Sequence, residues 1–498
     1  MRYKALLAAS AFVAIAASPA SAATSFVVNG FEGGNLVQAI GFGRGFIPPD
    51  TMGAVGTTQY VSPLNGSFNV FDKHTGAVLS QISDVSFWNS VGQSGANGDA
   101  RVMFNQQEKR WVVIAFASDT SFLNIAVSDT DNALGSWKST SFEGFHGATG
   151  GGVADYPTLA FDSKAAYIGT NNFDSNFQST TLNVIPLKDI FKATGPTAAN
   201  RSSFVTAFTG DPNVDQDRGF AIQGVNSNGK SVSGKIVADG IYTNAVAYNV
   251  NNPGSASATL GNAEFPAVAD YFGTLNARQP DGTRNLNTIG TRISGSAWEQ
   301  DGKIYFVRTL RPDVGGGNPG ADDVARITVL DAATFAVLQE IDIAKAGYDI
   351  YQPSLAISKY GLVVGYNRSG FNPADGNIAF LANAYTFGPD GKLVLDGTHL
   401  LRYSANNGYH LGSPRNRWGD YSAVSADPLN GHRFFAIGEY ANFGPGNGNG
   451  NGTSDRWGTY IGEVSIGVPE AATWAMMIAG FGLVGGAMRR RNVKVTYA

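Results

Sequence analysis

Ten polar side chains of this sequence stand at one kind of place, just ahead of or inside a short run of small and apolar residues: Asp50, Asp99, Arg101, Asp155, Tyr156, Arg218, Arg292, Gln352, Arg417 and Asp420. Together they hold carboxylates, guanidinium groups and a phenol. Paired carboxylates can serve as acid and base, and an arginine can grip a carboxylate or phosphate with two parallel hydrogen bonds. Repetition points the other way. An aspartate that recurs at equivalent positions usually serves architecture, by accepting backbone N–H groups of a neighbouring element, whereas catalysis uses one residue that breaks the pattern. Asp50, Arg101, Asp155, Tyr156, Arg292, Gln352, Arg417 and Asp420 are therefore expected to line a ligand-binding mouth, and no catalytic residue is assigned.

Other chemistries find less support. Asp211, Asp215 and Asp217 put three carboxylates in one short turn and are the best calcium candidates, although their order is not that of an EF-hand. The loop 446–452, GNGNGNG, lacks the acids that give calcium loops their affinity and reads as a flexible insertion. His74, His146, His399, His410 and His432 are scattered, with no pair at helical ligand spacing. There is no Cys, which excludes disulfides, thiolate nucleophiles and Cys-held zinc. No nucleophile elbow, phosphate loop or dinucleotide fingerprint appears in a strand-to-helix context. No cofactor is expected, with calcium as the one metal to be tested.

The elements that must hold these side chains repeat. DARVMFN from Asp99, a turn, then RWVVIA from Arg110 is one copy. DYPTLAFD from Asp155 with AYIG, YQPSLAIS from Tyr351 with LVVG, and DYSAVSAD from Asp420 with HRFFAI are three more. Weaker copies begin at Asp50, Arg218 and Arg292, and the seven anchors lie 49 to 74 residues apart. A third strand follows most of them, as in FNVFD from Phe68 and RITVLD from Arg326. A small antiparallel sheet of this length cannot shelter both faces alone, so such units stack. The reading is all-β: a single β-propeller over 23–466, most simply seven-bladed, with six or eight blades, or a jelly-roll or multi-sandwich, as alternatives. Ser25–Asn29 as FVVN-type strand residues are expected to complete the last blade against GTYIGEV from Gly458. The only helical signal is LKDIFKAT at 187–194. The polar anchors would then converge at the mouth of a central funnel.

Composition agrees. Of 498 residues 43% are hydrophobic and 11% aromatic, enough for a large core, while 63 glycines suit tight hairpins. The net charge of −4 comes without any basic stripe, so nucleic acid is not expected as a partner.

Both ends read as addresses. MRYKALLAASAFVAIAASPASA has Arg2 and Lys4, an apolar run 5–17 and Ala20-Ser21-Ala22, the order of a secretory signal peptide (1–22) cut by signal peptidase. The other end, VPEAATWAMMIAGFGLVGGAMRRRN, is free of charge over 471–488 and could just reach across a bilayer, with the arginines left on the cytoplasmic side. Pro469, Glu470, Trp474 and the run Arg489, Arg490, Arg491 together resemble the PEP-CTERM tail in its PEPxxWAMMIxGFG form, with Ala471 where that pattern has Pro. The resemblance covers only 467–498. It implies recognition by an exosortase that cuts near Pro469, a Gram-negative source, a membrane-anchored precursor with transient membrane contact through a C-terminal helix, and delivery to the cell surface or the extracellular matrix.

Two function classes follow. The leading one is a non-enzymatic surface or matrix module that binds or adheres to polysaccharide, with Trp88, Trp137, Trp418 and Trp457 as stacking aromatics. The rival is a secreted glycan-active hydrolase or lyase with its site in the funnel. Arg101, Arg292 and Arg417 evoke the three arginines of a sialidase, but the Ser-x-Asp-x-Gly-x-x-Trp box of that family is absent.

Overall fold

A computed structural model describes residues 25–467 except 95–97, 148–150, 208–218, 228–230, 232, 241, 406–407, 412–415 and 445–453. The proposed signal peptide, the sorting residues Pro469, Glu470, Trp474, Arg489, Arg490 and Arg491, the calcium candidates Asp211, Asp215 and Asp217, the 446–452 loop and Arg218 lie outside the described residues.

Antiparallel sheets follow one another along the chain, as short apolar strands separated by Gly, Asn and Asp turns require. The first comprises Ala54–Val55, Gln59–Leu64, Ser67–Asp72 and Val78–Ile82; the second Arg101–Asn105, Arg110–Phe116, Phe122–Ser128 and Trp137–Glu143. In the third, Val153–Asp155 and Ala160–Phe161 both pair with Ala165–Asp174, which continues to Asn176–Pro186 and Ser202–Ala207. The fourth (Phe220–Asn226, Lys235–Asp239, Ala245–Asn251, Thr259–Leu260) and the fifth (Ala297–Gln300, Lys303–Pro312, Val324–Asp331, Val337–Ile343) are joined by a short parallel pairing of Val225 with Ala297. The sixth is Tyr348–Ser358, Gly361–Gly370, Ala379–Phe387 and Leu393–Tyr403. The seventh is Ala423–Ala426, Arg433–Gly444 and Ser454–Ser465, and its fourth strand is the first strand of the chain, Phe26–Asn35, with Phe26 opposite Ser465. This is an all-β propeller architecture.

Apolar packing falls between sheets rather than within them, because each sheet offers two faces and has only its neighbours to cover them. Val112, Ile114 and Ile125 of the second sheet meet Ala166, Ile168 and Ile185 of the third in one cluster. Val307 and Ile327 of the fifth meet Leu355 and Val364 of the sixth, and Val424 and Val464 of the seventh, in another. Polar links repeat at the first strand of each sheet. Arg101 Nε donates to Pro157 O (2.7 Å), Thr158 Oγ1 to Ile222 O (2.8 Å), Gln223 Nε2 to Gly295 O (2.5 Å), Ser294 Oγ to Pro353 O (2.6 Å) and Ser422 Oγ to Gln352 O (2.7 Å). Asp99 N donates to Asn65 Oδ1 (3.0 Å) between the first two sheets, and Val55 N to Ser425 Oγ (3.0 Å) between the first and the last. Each link satisfies a buried carbonyl or amide that would otherwise be unpaired, a loss worth about 1–3 kcal/mol apiece.

Two helices were not foreseen in the sequence. Leu36–Gly41 starts at Asn35, whose side chain accepts from Gln38 N, and Asp84–Ser90 starts at Ser83, which accepts from Ser86 N. Both are ordinary N-caps. The LKDIFKAT segment forms one helical turn, Leu187–Ile190. A small extra sheet of Ala277–Arg278, Arg284–Asn287 and Asn416–Arg417 carries Arg417.

Candidate functional site

A left-handed backbone conformation recurs near the first strands. Asp50 and Asp99, just ahead of Ala54–Val55 and Arg101–Asn105, have φ of 46° and 55°; Tyr156, between Val153–Asp155 and Ala160–Phe161, has 52°; Ala221 and Gln352, inside Phe220–Asn226 and Tyr348–Ser358, have 52° and 51°. A residue with a Cβ gives up about 1 kcal/mol to stay there. Such repeated strain is held by its surroundings and commonly sits at functional positions. Four of the five are the polar anchors singled out by the sequence.

The structure brings the eight proposed mouth residues together. Asp50 accepts from Asp420 N (2.8 Å) and from Asn65 Nδ2 (2.7 Å). Asp99 lies beside Asp50 and Asp155 and accepts from Tyr421 Oη (2.9 Å). Asp420 pairs with Arg417 and lies 3.9 Å from Arg292. The Tyr156 hydroxyl donates toward Ile293 O (3.2 Å), its ring has Arg292 above it at 4.9 Å, and Arg101 sits 3.6 Å from the centre of the Tyr421 ring. Gln352 Nε2 donates to Gly419 O.

Burial sorts these groups. Asp50, Arg101, Tyr156 and Gln352 are buried and engaged with the ring itself, and Asp420 is buried against Arg417. Asp99, Asp155, Arg292 and Arg417 are half-buried. Beside Arg292 lies a recess of about 280 Å³ lined by Thr274, Asn276, Asn287 and Thr288 together with Leu275, Ile289 and Gly290. Sequence reasoning missed Tyr421, although it repeats the Asp-Tyr pair of Asp155-Tyr156. It also missed Glu439, buried in mid-strand beside Asp50, which no local pattern announces.

Desolvation dominates the electrostatics. Burial pushes the Asp50 carboxyl up to about 6, against the pull of Arg417. Burial, with Asp50 and Asp155 close by, holds Asp99 well above the usual carboxylate range. Asp155 is also raised by burial, opposed by Arg292 and Arg417, and burial raises Glu439 further. A carboxyl raised on folding adds stability that is complete below about pH 4, its unfolded value, and is lost as pH climbs through the folded value. Thermal unfolding midpoints should therefore fall between pH 5 and pH 8. In Asp99→Asn, which removes the charge at the centre of the group, the fall should shrink by roughly 2–5 °C. Scanning calorimetry of both proteins across that range is the check, and an unchanged slope would contradict it.

The aromatic platform expected from the sequence is not present. Trp88, Trp418 and Trp457 are buried, and Trp137 packs edge-on against Phe68 and Phe87. Their indoles satisfy core contacts, as most tryptophans do. Trp457 Nε1 donates to Phe46 O (2.9 Å) and Trp418 Nε1 to Asn367 Oδ1 (3.2 Å). Among the described residues no group of three or more His, Asp or Glu is arranged to hold a metal ion, and no helix is long and apolar enough to cross a membrane. The 471–488 segment lies outside those residues.

No curated protein matches the chain. Among solved structures it is similar to an alpha-L-arabinanase of Cellvibrio cellulosa, at 9% identity over 60% of this chain and 94% of that one, with a TM-score of 0.30. It is also similar to the WD40 domain of SCAP from fission yeast (8% identity, 84% and 96%, TM-score 0.34) and to a Trypanosoma rangeli sialidase bound to the inhibitor DANA (10%, 86% and 62%, TM-score 0.34). Residues 467–491 match the PEP-CTERM protein-sorting motif. The chain thus carries a PEP-CTERM sorting signal, and is an exported β-propeller protein with a membrane-anchored precursor that exosortase processes.

Proposed function

We propose that this protein is a surface or extracellular-matrix binding module of a Gram-negative bacterium, whose propeller mouth takes a polyhydroxylated ligand such as extracellular polysaccharide. In this reading signal peptidase removes 1–22 and exosortase cuts near Pro469. One observation supports it most: Arg292 is half-buried and lines a recess with Thr274, Asn276, Asn287 and Thr288 beside a few apolar side chains, while Asp155 lies close enough to feel its charge. Hydroxyl and amide side chains around one guanidinium suit a sugar's hydroxyls and any carboxylate it bears. A role for Asp50, Arg101, Tyr156, Gln352, Arg417 and Asp420 is then to hold that pair in place.

A second reading keeps its own support. Burial lifts Asp50 to about 6 and holds Asp99 well above the usual carboxylate range, which favours carboxyls that keep a proton toward neutral pH, as a general acid must. A glycan-active hydrolase or lyase in the mouth would use them.

Purified protein incubated with a glycan panel separates the two when both retention and product release are recorded. The binding reading predicts retention without product, and a loss of affinity of about tenfold or more in Arg292→Ala, the cost of one charge-assisted contact. Melting temperature should stay within a degree or two. Product made by the wild type and abolished in Asp99→Asn would establish the catalytic reading. Retention that survives both Arg292→Ala and Asp155→Ala would remove the mouth from either.

A further inference from the structure

Between the last strand of the fifth sheet and the face of the sixth lies a cleft of about 510 Å³, the size of an ordinary small-molecule site. None of the mouth residues lines it. Alternation along the strands gathers its side chains on one face of the sixth sheet. Tyr366 and Arg368 come from Gly361–Gly370, Asn383 and Tyr385 from Ala379–Phe387, and Thr398 stands opposite Asn383. Gln339, Ile341 and Ile343 of Val337–Ile343 form the other wall. Gln339 ties the walls together: its Nε2 donates to Leu393 O (3.0 Å) and its Oε1 accepts from Leu393 N (2.9 Å).

Two donors in this cleft are unspent. The acids near it are already engaged: Asp342 is held by Arg326 through two hydrogen bonds (2.6 and 2.8 Å), and Asp375 by Lys345 (3.0 Å) and the Tyr348 hydroxyl. Arg368 is half-buried, 5.0 Å from the centre of the Tyr348 ring, and close enough to Asp375 to act on its charge. Yet its guanidinium has no hydrogen bond or ion pair among the described residues, and its Nε is buried. The Tyr366 hydroxyl donates to Asn383 Oδ1 (3.0 Å), and Asn383 Nδ2 donates to Tyr385 Oη (3.4 Å). No acceptor among the described residues takes the Tyr385 proton. A buried N–H without an acceptor is costly, and an anion entering the cleft supplies one. Ile343, Ile350 and Leu393, all buried, make the remainder of the lining apolar.

We propose that this cleft is a second binding site, separate from the mouth, for a sugar that bears a carboxylate. Arg368 takes the carboxylate, planar fork to planar anion. The Tyr385 hydroxyl donates to the same group or to a ring hydroxyl. The apolar lining of Ile343, Ile350 and Leu393 meets the C–H face of the sugar ring. A neutral sugar leaves the guanidinium without a counter-charge. A phosphate calls for more than one cation or a nest of backbone N–H groups, whereas here one free guanidinium stands beside one free hydroxyl and an apolar wall. The same chemistry is offered by a free acid sugar and by one residue of an acidic polysaccharide.

Titration calorimetry of the full-length protein tests this, with galacturonate, tetramers of galacturonate and of mannuronate, and the methyl esters of both tetramers. At least one acid should bind, and its ester about tenfold more weakly or worse. Arg368→Gln should lower the affinity about tenfold or more, and Tyr385→Phe by roughly threefold to tenfold, while Arg292→Ala at the mouth leaves it within about twofold. Thr398→Trp, at an exposed position on the rim, should fill the cleft and abolish binding. It stands in for Arg368→Gln should that variant fail to fold, as melting curves will tell. Equal affinity for monomer and tetramer assigns the cleft to a free acid sugar, and tighter binding of the tetramer assigns it to a polysaccharide chain. Absence of binding by all the acids at millimolar concentration overturns the proposal. So does an ester that binds as well as its acid, or unchanged affinity in folded Arg368→Gln or Thr398→Trp. Binding lost only in Arg292→Ala places the ligand at the mouth and also overturns it, whereas a mouth that binds nothing leaves it standing.

Discussion

Asp427→Ala should destabilise the protein by about 3–5 kcal/mol, the cost of leaving one member of a buried ion pair alone. Lys73, in a turn of the first sheet, donates to both carboxylate oxygens of Asp427 in the seventh (3.0 and 2.9 Å) and to Gly56 O (3.1 Å). The side chains are 1% and 4% exposed. Without the carboxylate the ammonium keeps one carbonyl partner in a buried site, and a buried charge without its counter-charge is costly. The pair spans the junction between the last sheet and the first, 354 residues apart in the chain. It is one of the polar contacts there, with Val55 N to Ser425 Oγ and Asp420 N to Asp50 Oδ1. Lys73→Met with Asp427→Leu should recover most of the loss, because apolar replacements of matched volume relieve both desolvation penalties. Denaturant unfolding of the three variants is the measurement. A change below 1 kcal/mol in Asp427→Ala would mean that the two sheets do not meet there.

The sequence made the strand pairs legible because each couples a small-apolar run to a turn and a second run, a pattern of period two that survives divergence between copies. The DYSAVSAD copy shows where legibility ends. Asp162 and Asp427 close equivalent runs, yet Asp162 accepts from Lys164 N, Ala165 N and the Tyr167 hydroxyl, whereas Asp427 holds Lys73. Local pattern announces an aspartate at the end of a strand and is silent on its partner, which long-range packing supplies. The same holds for Arg308, wholly buried and paired with Asp239 (2.7 Å) and the Tyr271 hydroxyl (3.0 Å), in a strand that reads as ordinary. The helices Leu36–Gly41 and Asp84–Ser90 were present as caps in the sequence, at Asn35 and Ser83, but are too short to show a helical period. At the mouth, the anchors revealed which residues gather. Which of them remain open to a ligand depended on burial: Arg101 is spent on Pro157 O and Ser294 O, while Arg292 is left beside the recess.

The gathering of the anchors at one mouth depends on the chain's first strand finishing its last sheet. Glu32→Cys and Tyr460→Cys place two thiols directly opposite each other across that pairing, in a chain with no other cysteine. Mild oxidation should give an intramolecular disulfide in monomeric protein, seen as a reducible mobility shift. Tying a loop that includes nearly the whole fold should add stability on the order of 5 kcal/mol at most, less any local strain. Thiols that stay free under oxidation, or that link only between molecules, would show that the ring is not closed by Phe26–Asn35.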